Sequence, residues 1–298
     1  MTSPTPKFVT FHQYAGYLVR GVDPVTISAE DQCYHMKVAA CLTAMLECVH
    51  FGTVQGYDGA GLSGGLLHHI AVQPHSLEQG SLWGLLAAIA SSAPTEYVWV
   101  ATALAPWRVG QDGVLRDEHG AKVTGQAIRG RLNGSPDGKT PPGDDRAKGF
   151  ALLFNRLLSS PATRKAQLDY AIHWLTTGQR ETEQKAYHAF GVTDPLGDRS
   201  QMPAEVDLAM SVYHAFSANG PGPAREILVR ALGAFHAPES ASAFAHELIR
   251  SFGLSKFGRW HDDPMDEGSR YDATRKACLA SGFWPHDLIE RYMPRNLV

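Results

Sequence analysis

Several things are scarce in this chain of 298 residues, and each scarcity excludes a class of protein. Excess charge of one sign is missing: 27 Lys plus Arg stand against 30 Asp plus Glu, a net charge of -3 at pH 7. No run of like charges appears either, so no global basic field gathers nucleic acid or an anionic membrane. Apolar runs fall short of the ~20 residues that cross a bilayer, and stable membrane insertion is not expected. Cys33, Cys41, Cys48 and Cys278 are the only cysteines and form no CxxC pair, so reduced thiols are expected rather than a disulfide framework. Met1 to Lys7 lacks a basic segment leading into an apolar one, so no classical signal peptide is expected. Synthesis as a soluble chain in the cytoplasm is the expectation. What is present is a 44% hydrophobic, 19% charged composition, the balance of a globular protein with a real core.

Residues 1–28 are mixed and read as a segment wrapping the surface. A helix is predicted next, from an N-cap at Ser28 with Glu30 and Asp31 in its first turn. Tyr34, Val38, Cys41, Leu42, Met45, Leu46 and Val49 give its helical period, and its opposite face is scarcely more polar, which predicts burial on nearly all sides. Gly52 to Gly65 holds six glycines and the turn signal Asp58-Gly59, which predicts a short twisted hairpin or a glycine-rich loop. Residues 81–91 read as a helix, and Tyr97 to Leu104, between Pro94 and Pro106, as a strand. Residues 110–147 are rich in Gly, Pro, Asp, Arg and Lys and read as a long loop insertion with one hairpin near Val114 to Val123. Beyond it helical stripes follow one another. They run through Phe150 to Leu158, Leu168 to Leu175, Val206 to Phe216, Ile227 to Phe235 and Phe244 to Phe252, with short helices at 270–280 and 285–293.

Glu47 sits near the C-terminal end of the central helix, on the side of Ala40, Thr43 and Ala44. The helix dipole and partial burial both disfavour a negative charge there and raise a carboxyl pKa, as a general acid requires. The plainer alternative is a solvated Glu on an exposed helix face. Asp58 comes eleven residues later and Ser63 five after that. A hairpin can turn Asp58 back towards Glu47, and two carboxylates across a cleft are the equipment of glycoside hydrolysis, with a hydroxyl to orient water. Equally, Asp58-Gly59 can be a simple turn and Ser63 a loop hydroxyl.

Glu47 followed by Asp58-Gly59-Ala60-Gly61-Leu62-Ser63-Gly64-Gly65-Leu66-Leu67 resembles the active-site segment of the lysozyme-like superfamily, its chitosanases in particular. There a helix ends in the acid Glu and a β-segment presents Asp-Gly-x-Gly-x-Thr. Phe150 to Phe154, Ser160-Pro161, Ala166-Gln167, Gly191 to Gly197 and Val206 to Ala209 resemble the helical lobe in the same order. Ala60 stands where chitosanases often carry arginine, and Ser63 replaces their Thr. The resemblance implies an α+β, mainly α, lysozyme-like two-lobed fold with a small β-hairpin region and extra C-terminal helices. The expected parts are an N-terminal segment 1–28, a catalytic domain 29–235 and a C-terminal helical extension 236–298. It implies Glu47 as acid, Asp58 as base and Ser63 as the residue holding the water. Tyr57, Gly61 and Asp207 join Trp99 and Trp107 as candidate substrate-binding residues. A signal-less chain with reduced thiols resembles phage lysins and injected toxins. Peptidoglycan is then the expected polymer, acted on in the periplasm or cell wall after non-classical delivery, with an immunity or delivery protein as possible partner. The alternatives are a chitosanase using the same residues and a catalytically silent module that binds glycan or a partner.

Other chemistries find less support. His68 and His69 are adjacent, which on a strand sends them to opposite faces, and with His75 they match no zinc spacing, so no metal or other cofactor is expected. Cys48 at a helix C-terminus is poorly placed for thiolate chemistry. Gly61-Leu62-Ser63-Gly64-Gly65 fits GxSxG by letter but follows no convincing strand-to-helix elbow, no GxGxxG stands ahead of a helix, and GxxxxGK[ST] is missing.

Overall fold

The computed structural model describes residues 8–11, 16–19, 38–40, 42–43, 51–55, 60–134, 145–177, 181–193, 202–217, 221–233, 241–255, 258 and 269–295. The protein is mainly helical with a few short strands. It divides into two compact units, one of residues 1–25 and 47–171, the other of residues 26–46 and 172–298.

The first unit carries a five-stranded antiparallel meander in the order β1 (Phe8–Phe11), β2 (Gly16–Val19), β3 (Val54–Gln55), β4 (Ser63–Gly64) and β5 (His69–Ile70). The N-terminal segment is thus corrected from a surface wrap to a hairpin, Phe8 opposite Val19, that extends the sheet. The sheet packs on α2 (Leu82–Ser92), whose Leu82, Trp83, Leu85, Leu86 and Ile89 are buried at helical spacing. Trp83 is fully enclosed, and its Nε1–H donates to the Ala71 carbonyl at 2.8 Å, tying α2 to the end of β5.

α3 (Pro94–Leu104) overturns the strand expected over the same residues. Pro94 opens the first turn, where its missing N–H costs nothing. Val100 and Leu104, four apart, are the buried residues, while Val98 and Trp99 are half exposed. The apolar triplet Val98-Trp99-Val100 imitates a strand, but the spacing that meets the core is helical.

The loop expected at 110–147 is also corrected. A small hairpin pairs β6 (Arg108–Val109) with β7 (Leu115–Arg116); β7 falls in the span Val114 to Val123 expected to hold a hairpin, and β6 lies before it. It is followed by α4 (Gly125–Leu132), whose N-cap Thr124 accepts a bond from the Ala127 N–H and which buries Ile128 and Leu132. Residues 135–144 lie outside the described ones. α5 (Asp145–Ser159) and α6 (Pro161–Thr177) follow as anticipated, with Phe154, Leu157 and Leu158 in the core. The boundary between the units falls inside α6.

The second unit includes α1, helical at residues 38–40 and 42–43, where all five residues are buried as the sequence suggested. With it go α7 (Glu181–Ala189), α8 (Ala204–Ser217), α9 (Pro221–Gly233), α10 (Ala241–Leu254), α11 (Arg270–Ser281) and α12 (His286–Tyr292). Val38 and Leu42 of α1 share one core with Tyr213, Phe216, Leu228, Phe244, Phe252, Cys278 and Trp284. The helices beyond residue 236 therefore pack as part of this unit. Two pairs of its buried polar groups meet one another: Tyr213 Oη donates to Glu183 Oε1 at 2.6 Å, and Tyr187 Oη meets His214 Nε2 at 2.7 Å. Cys278 is free, and burial pushes its thiol up to about 12. Among the described residues no helix is long and apolar enough to cross a membrane.

Candidate active site

Glu47, Tyr57 and Asp58 lie outside the described residues, as do Cys33, Cys41 and Cys48. Ser63 and Gly61 are described, and the segment that holds them is the hairpin read from the glycines. β3 and β4 pair antiparallel with Gln55 opposite Ser63 and Val54 opposite Gly64, and the chain reverses between them. The Gly65 N–H donates to the Thr53 carbonyl, while Ala71 and Val72 donate to the carbonyls of Leu62 and Ala60. The described residues 60–65 are thus fastened to backbone on both edges.

Two of its glycines have a structural reason. Gly61 has φ +78, and a Cβ there would lie 3.1 Å from Arg129 Cγ; Gly65 has φ +79 and would put a Cβ 3.1 Å from both Gln167 Oε1 and Leu85 Cδ2. Any side chain is strained at such φ, and the missing Cβ lets α4, α6 and α2 close on the hairpin. Ser63 is 1% exposed. A hydroxyl so enclosed can hold one ordered water but does not touch a polymer chain.

Arg129 is the residue that sequence reasoning missed. It is 4% exposed on α4, its stem crosses Gly61, and Nη2 donates to the Pro74 carbonyl at 3.3 Å. Among the described residues no carboxylate pairs with it. A buried guanidinium with a single carbonyl partner is costly, and an anion nearby offsets that cost. Asp58 precedes Gly61 by three residues, a span of at most ~11 Å of chain. The signal that could have found Arg129 is the helix itself: Thr124 as cap, then Ile128 and Leu132 four apart.

The other candidates fall elsewhere. Trp107 is half-buried beside the core of the first unit, with the Arg131 guanidinium 4.6 Å over its ring. Trp99 is 55% exposed on α3. Asp207, by contrast, belongs to the second unit's core: it is 6% exposed and its Oδ2 accepts from Trp284 Nε1 at 3.0 Å, which gives it a packing task instead of a ligand-facing one.

His68 and His69 flank the same sheet. His68 turns at φ +52, and His69 Nδ1 meets Ser81 Oγ at 3.1 Å. Burial lowers their pKa values to about 4 and about 3, with His68 adding repulsion at His69. Both are neutral in the folded protein. Above pH ~6.5 the unfolded chain is neutral there too. As pH falls further, the unfolded chain binds protons that the folded one refuses until about 4 and about 3, so stability is lost on acidification. Urea midpoints at pH 7 and pH 5 should differ by roughly 2–4 kcal/mol in unfolding free energy. Replacing both with Gln should flatten that slope; an unchanged slope would mean other groups set it. Among the described residues no group of three His, Cys, Asp or Glu is placed to hold a metal ion.

Comparison with protein-family models, with curated proteins and with solved structures finds no match to this chain.

Proposed function

We propose that the chain is a lysozyme-like glycoside hydrolase that cleaves a β-1,4-linked amino-sugar polymer, the glycan strand of peptidoglycan. In this reading Glu47 protonates the glycosidic oxygen, Asp58 activates the attacking water and Ser63 holds that water. The observation that carries the proposal is the glycine-rich hairpin seated directly on a buried arginine. A base has to be ionised at neutral pH, and a guanidinium within reach of the segment bearing Asp58 favours the charged carboxylate. The acid has to be protonated, and the dipole at a helix C-terminus together with partial burial, both expected for Glu47, raises its pKa. The two carboxyl groups are thereby pushed towards opposite protonation states, which is how one site runs acid and base chemistry together. The enclosed Ser63 fits the holding of a single water. Non-classical delivery to the periplasm or cell wall, and an immunity or delivery partner, belong to the same reading.

The test is the release of new reducing ends from purified peptidoglycan, with soluble chitosan in parallel. Release from peptidoglycan alone is the expected result, and release from chitosan alone would move the substrate to that cationic polymer. No release from either would sink the hydrolase reading in favour of a binding module. The anomer first formed, read by proton NMR, gives the stereochemistry: inversion goes with carboxyl groups ~6.5–9.5 Å apart and retention with ~5–5.5 Å.

A further inference from the structure

A groove of about 290 Å³ lies on the first unit where α3 meets α5 and the start of α6. It sits at the lower end of ligand-pocket sizes, ~300–1,000 Å³, which suits a mono- or disaccharide. Leu153 forms part of its floor and Trp99 its wall. The Arg156 guanidinium stands 5.1 Å over the indole ring, leaving an indole that is still 55% exposed. Glu96 and Arg156 both reach the groove, and among the described residues neither makes an ion pair or a hydrogen bond.

The place of the groove on α5 separates it from the hairpin. Asn155 Nδ2 donates to the Gly52 carbonyl at 2.6 Å, and Leu158 Cδ1 lies 3.0 Å from a Cβ built on Gly64, so that face of α5 looks onto the sheet. Successive helical residues are turned by about 100°. Leu153 and Arg156 therefore project from the opposite side of the helix, a helix diameter of ~10 Å away.

We propose that this groove is an accessory glycan-binding site. The chemistry fits a neutral sugar ring. One face of a pyranose is a row of C–H groups that packs on an indole, and its equatorial hydroxyls pair with a carboxylate and a guanidinium held beside that indole. One positive and one negative group leave no net charge, so neither phosphate nor a basic peptide is favoured. That the sugar belongs to the polymer cleaved at the hairpin rests on the proposed function; binding itself does not.

The experiment uses the full chain carrying Glu47→Gln, so that cleavage plays no part. The probes are insoluble peptidoglycan for sedimentation and a soluble N-acetylglucosamine tetramer for NMR. Adding Trp99→Ala should weaken sedimentation about tenfold, the equivalent of 1.4 kcal/mol, with thermal stability unchanged because the indole is largely outside the core. The Trp99 indole N–H resonance, assigned by its loss in Trp99→Phe, should shift on titration with the tetramer, and Arg156→Ala should reduce the shift. Undiminished sedimentation of Trp99→Ala, or an indole resonance that stays still at saturating tetramer, would overturn the site. Because catalysis is absent throughout, neither result depends on whether the wild-type chain is a hydrolase.

Discussion

Glu47→Gln should abolish the release of reducing ends from peptidoglycan, with a loss of about 10²–10⁴-fold or more. The amide keeps the size and planarity of the carboxyl group but has no proton to give to a leaving oxygen. The substitution therefore separates the acid's chemistry from its packing. Helix content and thermal midpoint should match wild type, since the change removes no bulk. Under the proposed mechanism the loss appears in kcat, because the proton moves only as the glycosidic bond breaks. Aryl glycosides with good leaving groups need little protonation and should recover part of the rate. A folded Glu47→Gln protein that releases reducing ends at the wild-type rate would remove Glu47 from the mechanism.

Trp83→Ala should be the most destabilising single change in the first unit, costing about 3–5 kcal/mol. Two losses combine. The fully enclosed indole leaves a cavity among Leu82, Leu86 and the end of the sheet, and the Ala71 carbonyl loses its 2.8 Å donor. Against a whole-protein stability of about 5–15 kcal/mol, a loss of that size brings the chain near unfolding at physiological temperature. Urea denaturation followed by far-UV circular dichroism should show a lower midpoint. Trp83→Phe, which restores most of the volume but not the N–H, should fall between. A loss below about 1 kcal/mol for the alanine variant would mean that the core around α2 re-forms without the indole.

Much of the helical architecture was legible because its signals are local. The stripe Phe150 to Leu158 and the Pro161 start became α5 and α6, and the Phe244 stripe became α10. The glycine-rich hairpin was legible because Asp58-Gly59 lies between short paired segments. Failures had physical causes of two kinds. In α3 a run of three large apolar residues obscured a four-residue spacing that is plain once Val100 and Leu104 are seen buried. In α4 a composition rich in Gly and Arg concealed a capped helix, and with it Arg129. The strands β1 and β2 escaped because their partner β3 is 35 residues further on than Val19, and sheet pairing over such a gap leaves no periodic trace. The candidate site was legible in its residue types but not in its surroundings: nothing in the spacing foretold a cation against Gly61 or the enclosure of Ser63.

The second unit draws its core from two distant stretches, residues 26–46 and 172–298. Synthesis delivers them far apart in time. Val38 and Leu42 leave the ribosome more than 160 residues ahead of the first α8 residues they pack with, Val206 onward. At about 5–20 residues per second that interval is on the order of ten seconds or more. Until those α8 residues emerge, the buried residues of α1 lack most of the core that covers them in the folded protein, and a nascent chain in that state is a client for holding chaperones. Translation speed through the middle of the message thus sets how long the sticky segment waits. Severing the polypeptide at residue 172 would leave the C-terminal piece without Val38 and Leu42, which belong to its own core.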